Sequence, residues 1–139
     1  MNLKKYVFLL AIGFLFAGCD GLFNNTRKIE IKGRIAKSDN VSAMKVKTES
    51  AYTLADAKKA LIFYGNEYNL VEISSNGSFS GKAPVGSATV VAFLTADNQF
   101  IGNLFAGGMN VLPLVGLADD LSTIDLSTLT LDGTRVIPA

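Results

Sequence analysis

Cys19 is the only thiol in a chain that contains no histidine and no tryptophan, which narrows the chemistry its side chains can perform. Without imidazole there is neither a proton shuttle that titrates near neutrality nor the commonest metal ligand. Nucleophilic catalysis would have to rest on serine with lysine, or on paired carboxylates. Lys82 lies close in sequence to Ser78, Ser80 and Ser87, but serines at strand ends ordinarily face solvent or build turns. Asp119-Asp120 with Asp125 could offer oxygen ligands to calcium, and the same residues read more simply as a polar loop between apolar strands. Tyr52, Tyr64 and Tyr68 would suit sugar stacking if they shared an exposed face, whereas tyrosine pairs across a hairpin are commonly structural. No acid, base and nucleophile converge. The expectation is a protein that is not an enzyme and carries no metal and no cofactor beyond a covalent lipid.

That lipid is implied by the setting of the thiol. Lys4 and Lys5 give a positive start, Tyr6 to Phe16 is almost wholly apolar, and Ala17 and Gly18 lead directly into Cys19. A basic start, an apolar core and small residues before a cut are the build of an export signal. The 12 residues from Tyr6 to Ala17 fall short of the roughly 20 that span a bilayer. Leu15-Phe16-Ala17-Gly18-Cys19 resembles a bacterial lipoprotein signal, with Phe16 where that signal usually carries leucine. The resemblance implies cleavage between Gly18 and Cys19 and a diacylglyceryl group on Cys19. It places the protein in the bacterial cell envelope, anchored to membrane lipid with its domain outside the cytoplasm. One acyl chain holds a protein only marginally, and two or more hold it firmly. Asp20 resembles the inner-membrane retention signal of enteric lipoproteins. Residues 1–18 are therefore expected as a helical signal peptide, 19–26 as a lipidated tether and 27–139 as the domain. Simple secretion with an incidental cysteine is the competing reading.

Without its first 18 residues the chain keeps 121, the size of one ordinary domain. Residues 20–59 hold nine basic and five acidic side chains, and residues 60–139 hold two and seven. Dispersed cations such as Lys32, Arg34 and Lys37 suit a solvated face better than a nucleic-acid surface, and no nucleic-acid partner is expected. Attraction of this basic stretch to anionic headgroups is the weaker alternative. With Cys19 lipidated no disulfide can form. Stability must come from a hydrophobic core, for which 49% apolar residues suffice.

The elements that would position these residues are strands. Lys28 to Ile35 alternates Ile29, Ile31 and Ile35 against Lys28, Glu30, Lys32 and Arg34, the period of a half-buried strand. Val41 to Thr48 suggests an irregular edge strand. Thr53-Leu54-Ala55-Asp56 has capping-box spacing and predicts one or two helical turns within Leu54 to Lys59. Ala60 to Tyr64 and Tyr68 to Ile73 form a hairpin about Gly65-Asn66-Glu67, and Asn76-Gly77 is the strongest turn signal. Ser78 to Gly81 is a short strand. Ala88 to Thr95 is a continuous apolar run, the pattern of a central strand buried on both faces. Asp97-Asn98 turns the chain into Phe100 to Phe105, Gly107-Gly108 breaks it, and Met109 to Val115 follows. Ile124 to Leu131 alternates as the last strand, with Asp132 to Ala139 as a tail. The segment Gly102 to Val115 is expected in the core; the alternative is a loop presenting Phe105, Met109 and Leu112 to a partner.

Gly77-Ser78-Phe79, then Pro84-Val85-Gly86, then Ala88 to Leu94 stand in the order found in carboxypeptidase regulatory-like, or transthyretin-like, domains, and Ala60 to Phe105 resembles them. The resemblance implies an all-β, antiparallel immunoglobulin-like or transthyretin-like sandwich, with about seven strands as in such folds. It also implies a non-catalytic accessory module. The leading expectation is an envelope lipoprotein whose sandwich binds or scaffolds another envelope protein. The alternative is a surface lipoprotein that binds a small ligand or glycan.

Overall fold

The computed structural model describes residues 27–36 and 52–139. Gly18 and Cys19, the helical signal, the tether 19–26 and the edge strand expected within Val41 to Thr48 lie outside the described residues. The rest is all-β. Nine strands form a single sheet: β1 (Lys28–Ile35), β2 (Lys59–Tyr64), β3 (Glu67–Glu72), β4 (Ser78–Pro84), β5 (Ala88–Leu94), β6 (Phe100–Leu104), β7 (Leu112–Pro113), β8 (Thr123–Asp132) and β9 (Arg135–Pro138). Their order is β3-β2-β5-β6-β9-β8-β1-β4, with β7 paired to β5. The sheet curls so far that its terminal strands, β3 and β4, approach each other, and it is nearly closed into a barrel.

Two pairings differ from the expected antiparallel arrangement. β1 runs parallel to β8, and β6 parallel to β9. The cause of the second is the tail, which is a strand. Asp132 and Arg135 close a hairpin with Gly133 at φ +62°, so β9 must run antiparallel to β8. It then meets β6 running the same way, and Val136 is fully buried between them. β7 is only two residues, shorter than the strand expected over Met109 to Val115.

Alternation places the core. Ile29, Ile31 and Ile35 of β1 point inward with Ile62, Phe79, Val91, Phe93, Ile101, Leu129 and Val136. The unladdered seam between β3 and β4 is filled by side chains: Gly81 leaves room for Ile62 and Val71, and a Cβ there would collide with Ile62. The capping-box segment makes a single 3₁₀ turn, Leu54–Asp56. It is held by the Asp56 carboxylate, which accepts from the Thr53 N–H at 2.7 Å and the Thr53 hydroxyl at 2.9 Å. No helix among the described residues is long and apolar enough to cross a membrane.

Candidate functional site

Among the described residues the exterior of the sheet has two unlike walls. The first is the outer face of β8-β1-β4. Opposite residues in register share a face. Glu30 therefore stands between Lys82 and Thr123, and Lys32 between Ser80 and Asp125. The Glu30 carboxylate accepts from the hydroxyls of Ser80 and Thr123. Lys32 Nζ lies 3.5 Å from Asp125, and Arg34 donates from Nε to the Asn76 carbonyl at 3.2 Å. Salt bridges this exposed contribute little stability, but the ladder fixes where each charge stands.

Across this wall runs a shallow open groove of about 550 Å³. Lys32, Arg34 and Asp125 stand along it with the hydroxyls of Ser78, Ser80 and Thr128. A bulge in β8 shapes it. Between the pairs Lys32–Asp125 and Arg34–Thr128, Leu126 and Ser127 face the single residue Gly33. Ser127 takes φ +57°, and its N–H donates to Asp125 at 2.8 Å. Gly33 packs closely there: a Cβ would lie 3.0 Å from Phe79 and 3.3 Å from Leu126, so these side chains would have to give way.

The hydroxyl of Ser80, then that of Thr123, lowers the Glu30 pKa, with lesser help from Lys32 and Lys82 against the cost of desolvation. A carboxylate lowered by folding stabilises the native state above its unfolded pKa, and that contribution is lost as pH falls through the folded value. Glu30→Gln is thus expected to lower the melting temperature at pH 7. The gap to the parent should narrow on acidification to pH 3, as thermal melts across that range will register. A gap that does not change with pH would remove Glu30 from the acid response.

The second wall is the outer face of β3-β2-β5-β6. Register places Tyr68 beside Phe63 and Leu70 beside Leu61. Phe63 stands beside Val90 and Leu61 beside Ala92, and Leu94 faces Phe100. All of these are apolar or aromatic, and Tyr68 is 66% exposed, Phe100 49%, Phe63 44% and Leu70 43%. The ladder adds Lys59 opposite Glu72 at the end of the wall distant from Tyr68. The sequence signal for this wall was the unbroken run Ala88 to Thr95, which suggested a strand buried on both faces. Within β5 only the inner residues Thr89, Val91 and Phe93 are fully buried.

The other sequence candidates disperse. Tyr64 points inward against the core while Tyr68 points outward, so these two tyrosines form no shared strip. Asp119 pairs with Arg27 at 3.5 Å, away from Asp125 on Lys32, and no group of three potential metal ligands occurs among the described residues. Ser80 donates to Glu30, and Ser87 donates to the Pro84 carbonyl at 2.6 Å; neither is bonded to Lys82. The segment Gly102 to Val115 divides: Leu104 and Leu114 are buried while Met109 and Val115 are exposed, and Phe105 lies 4.6 Å beneath the Arg135 guanidinium.

Compared with family models, with curated proteins and with solved structures, the chain finds no match.

Proposed function

We propose that this chain is a bacterial envelope lipoprotein, anchored through a diacylglyceryl group on Cys19, whose non-catalytic β-domain binds or scaffolds another envelope protein. The address rests on the signal-like residues 1–18 and on Cys19 directly after Gly18. The binding role rests on the wall of β8-β1-β4. Its charges are held in fixed positions by Ser80, Thr123, Asp125 and Asn76, and charges ordered in advance favour specific recognition of a complementary surface. The hydroxyls lining the groove favour, as the second reading, a polyhydroxylated ligand such as a glycan. For a transthyretin-like sandwich the support is local: Gly77 in the turn at φ +87°, Phe79 in the core and Pro84 ending β4.

Two measurements test this. Mass spectrometry of protein from the native membrane fraction should find a lipid-modified N-terminal peptide beginning at Cys19, and Cys19→Ala should release the protein from membranes. An unmodified chain cut elsewhere would defeat the address. Replacing Arg34 with a photocrosslinking residue should trap one defined envelope protein in living cells, while the same residue at position 99, an exposed loop site remote from the groove, should not. Equal or absent crosslinking at both positions would defeat the partner site.

A further inference from the structure

The apolar wall remains to be accounted for in an anchored molecule. Contiguous exposed apolar surface marks a site of contact, and the outer face of β3-β2-β5-β6 is apolar except for Asn103 beside Ala92 and the Lys59–Glu72 pair at one end. We propose that this wall lies on the lipid surface, with Phe63, Tyr68, Leu70 and Phe100 in the boundary between headgroups and acyl chains. The proposal rests on the lipid-anchor reading of Cys19.

The length of chain outside the described residues argues for lipid as the occupant. Seven residues, 20 to 26, separate Cys19 from Arg27, so Arg27 can stand no more than about 29 Å from the acylated residue. The seven residues of β5 span about 23 Å. The tether therefore keeps Arg27, just before β1, within about one strand length of the bilayer, close enough for the domain to lie on its side. Aromatic rings with one polar end, such as that of Tyr68, suit a boundary that is apolar on one side and wet on the other. Charge placement agrees. Lys59 and Glu72 face each other at one end of the wall, whereas Glu30, Lys32, Lys82 and Asp125 occupy the other wall. Laying the apolar wall on lipid would leave the charged wall and its groove free for the envelope partner. The lipid anchor would then supply attachment, and the wall orientation.

The test uses the full lipoprotein purified from membranes and reconstituted into phosphatidylethanolamine–phosphatidylglycerol vesicles. These vesicles also carry a phospholipid spin-labelled near the headgroup. In the acylated protein Cys19 has no free thiol, so Tyr68→Cys, Leu70→Cys and Lys32→Cys each introduce one site for a fluorophore. All three positions are exposed, and unchanged melting temperatures confirm intact folding. The expected result is at least twofold stronger quenching at positions 68 and 70 than at position 32. Equal quenching at the three positions, with the protein still floating with the vesicles, overturns the proposal and leaves the anchor standing. Labelling of the parent protein itself, together with failure to float, means that Cys19 carries no lipid, and the proposal falls with that reading. A covalent crosslink in native membranes from position 68 to another protein, in place of lipid quenching, overturns it in favour of a protein interface.

Discussion

Phe93→Ala is expected to lower the unfolding free energy by about 3–5 kcal/mol, the usual loss for truncating a fully buried phenylalanine. The side chain is 0% exposed. Its ring meets that of Phe79 edge-on, with centroids 5.4 Å apart at 78°, a geometry worth about 1 kcal/mol beyond the area it buries. Little can move to fill the space, because the strand is laddered on both sides, to Ala60 of β2 and to Gly102 of β6. Domains of this size have only about 5–15 kcal/mol in total, so the variant should melt about 15 °C lower. Phe63→Ala is the matched control on the same sheet, since Phe63 is 44% exposed and faces outward. It should lose about 1 kcal/mol or less. Urea unfolding of the two variants decides the matter, and a larger loss for Phe63→Ala would mean that the inward and outward faces have been exchanged.

Gly77→Ala should be nearly as damaging for a different reason. Gly77 takes φ +87°, and a Cβ there would lie 2.6 Å from the carbonyl oxygen of Ile35. That carbonyl cannot easily retreat. The Ile35 N–H donates to the Gly77 carbonyl at 2.9 Å, and the Gly77 N–H donates to Ser74 at 2.9 Å, so the turn is tied on both sides. Backbone strain alone costs about 1–3 kcal/mol, and displacing Ile35 from the end of β1 adds to it. Gly65→Ala separates the two contributions, because Gly65 has φ +59° with nothing within 4 Å of the added carbon. It should lose only the strain, about 1–2 kcal/mol. Thermal melts should therefore show Gly77→Ala as clearly the worse of the pair, and equal losses would mean that the Ile35 carbonyl yields.

Legibility in the sequence followed how local the determinant was. β1 emerged with its observed limits, Lys28–Ile35, because three isoleucines alternating with charges admit one strand and one inward face. The Asn76-Gly77 turn was equally plain, since the required positive φ selects the residue. β9 was missed because four residues containing one fully buried side chain, Val136, show no periodicity; the strand exists because β6 and β8 lie on either side of it. The parallel partners of β1 and β6 follow from topology rather than from any residue. The charged wall was half visible, as the polar positions of β1, but its ordering needed Thr123 and Asp125 from a strand about ninety residues away. The apolar wall was hidden by an ambiguity of pattern. A strand apolar on both faces reads the same whether its second face is covered by protein or left open.

The pairing of β1 with β8 also bears on how the chain acquires its shape in time. The first strand is laddered to β4 and to β8, and the hydrogen-bonded ladder joins the halves of the sheet through β9, between β6 and β8. Contacts of such wide sequence separation form slowly. A chain delivered from its N-terminus offers β1 its β4 neighbour only once Pro84 has emerged, and its β8 neighbour only when nearly all of it has. Until Arg135 to Pro138 arrive, the apolar sides of β6 and β8 stay unjoined. The sheet is thus completed only by the last strand to arrive, and a chain that ended before Arg135 would leave β6 and β8 without the strand that joins them.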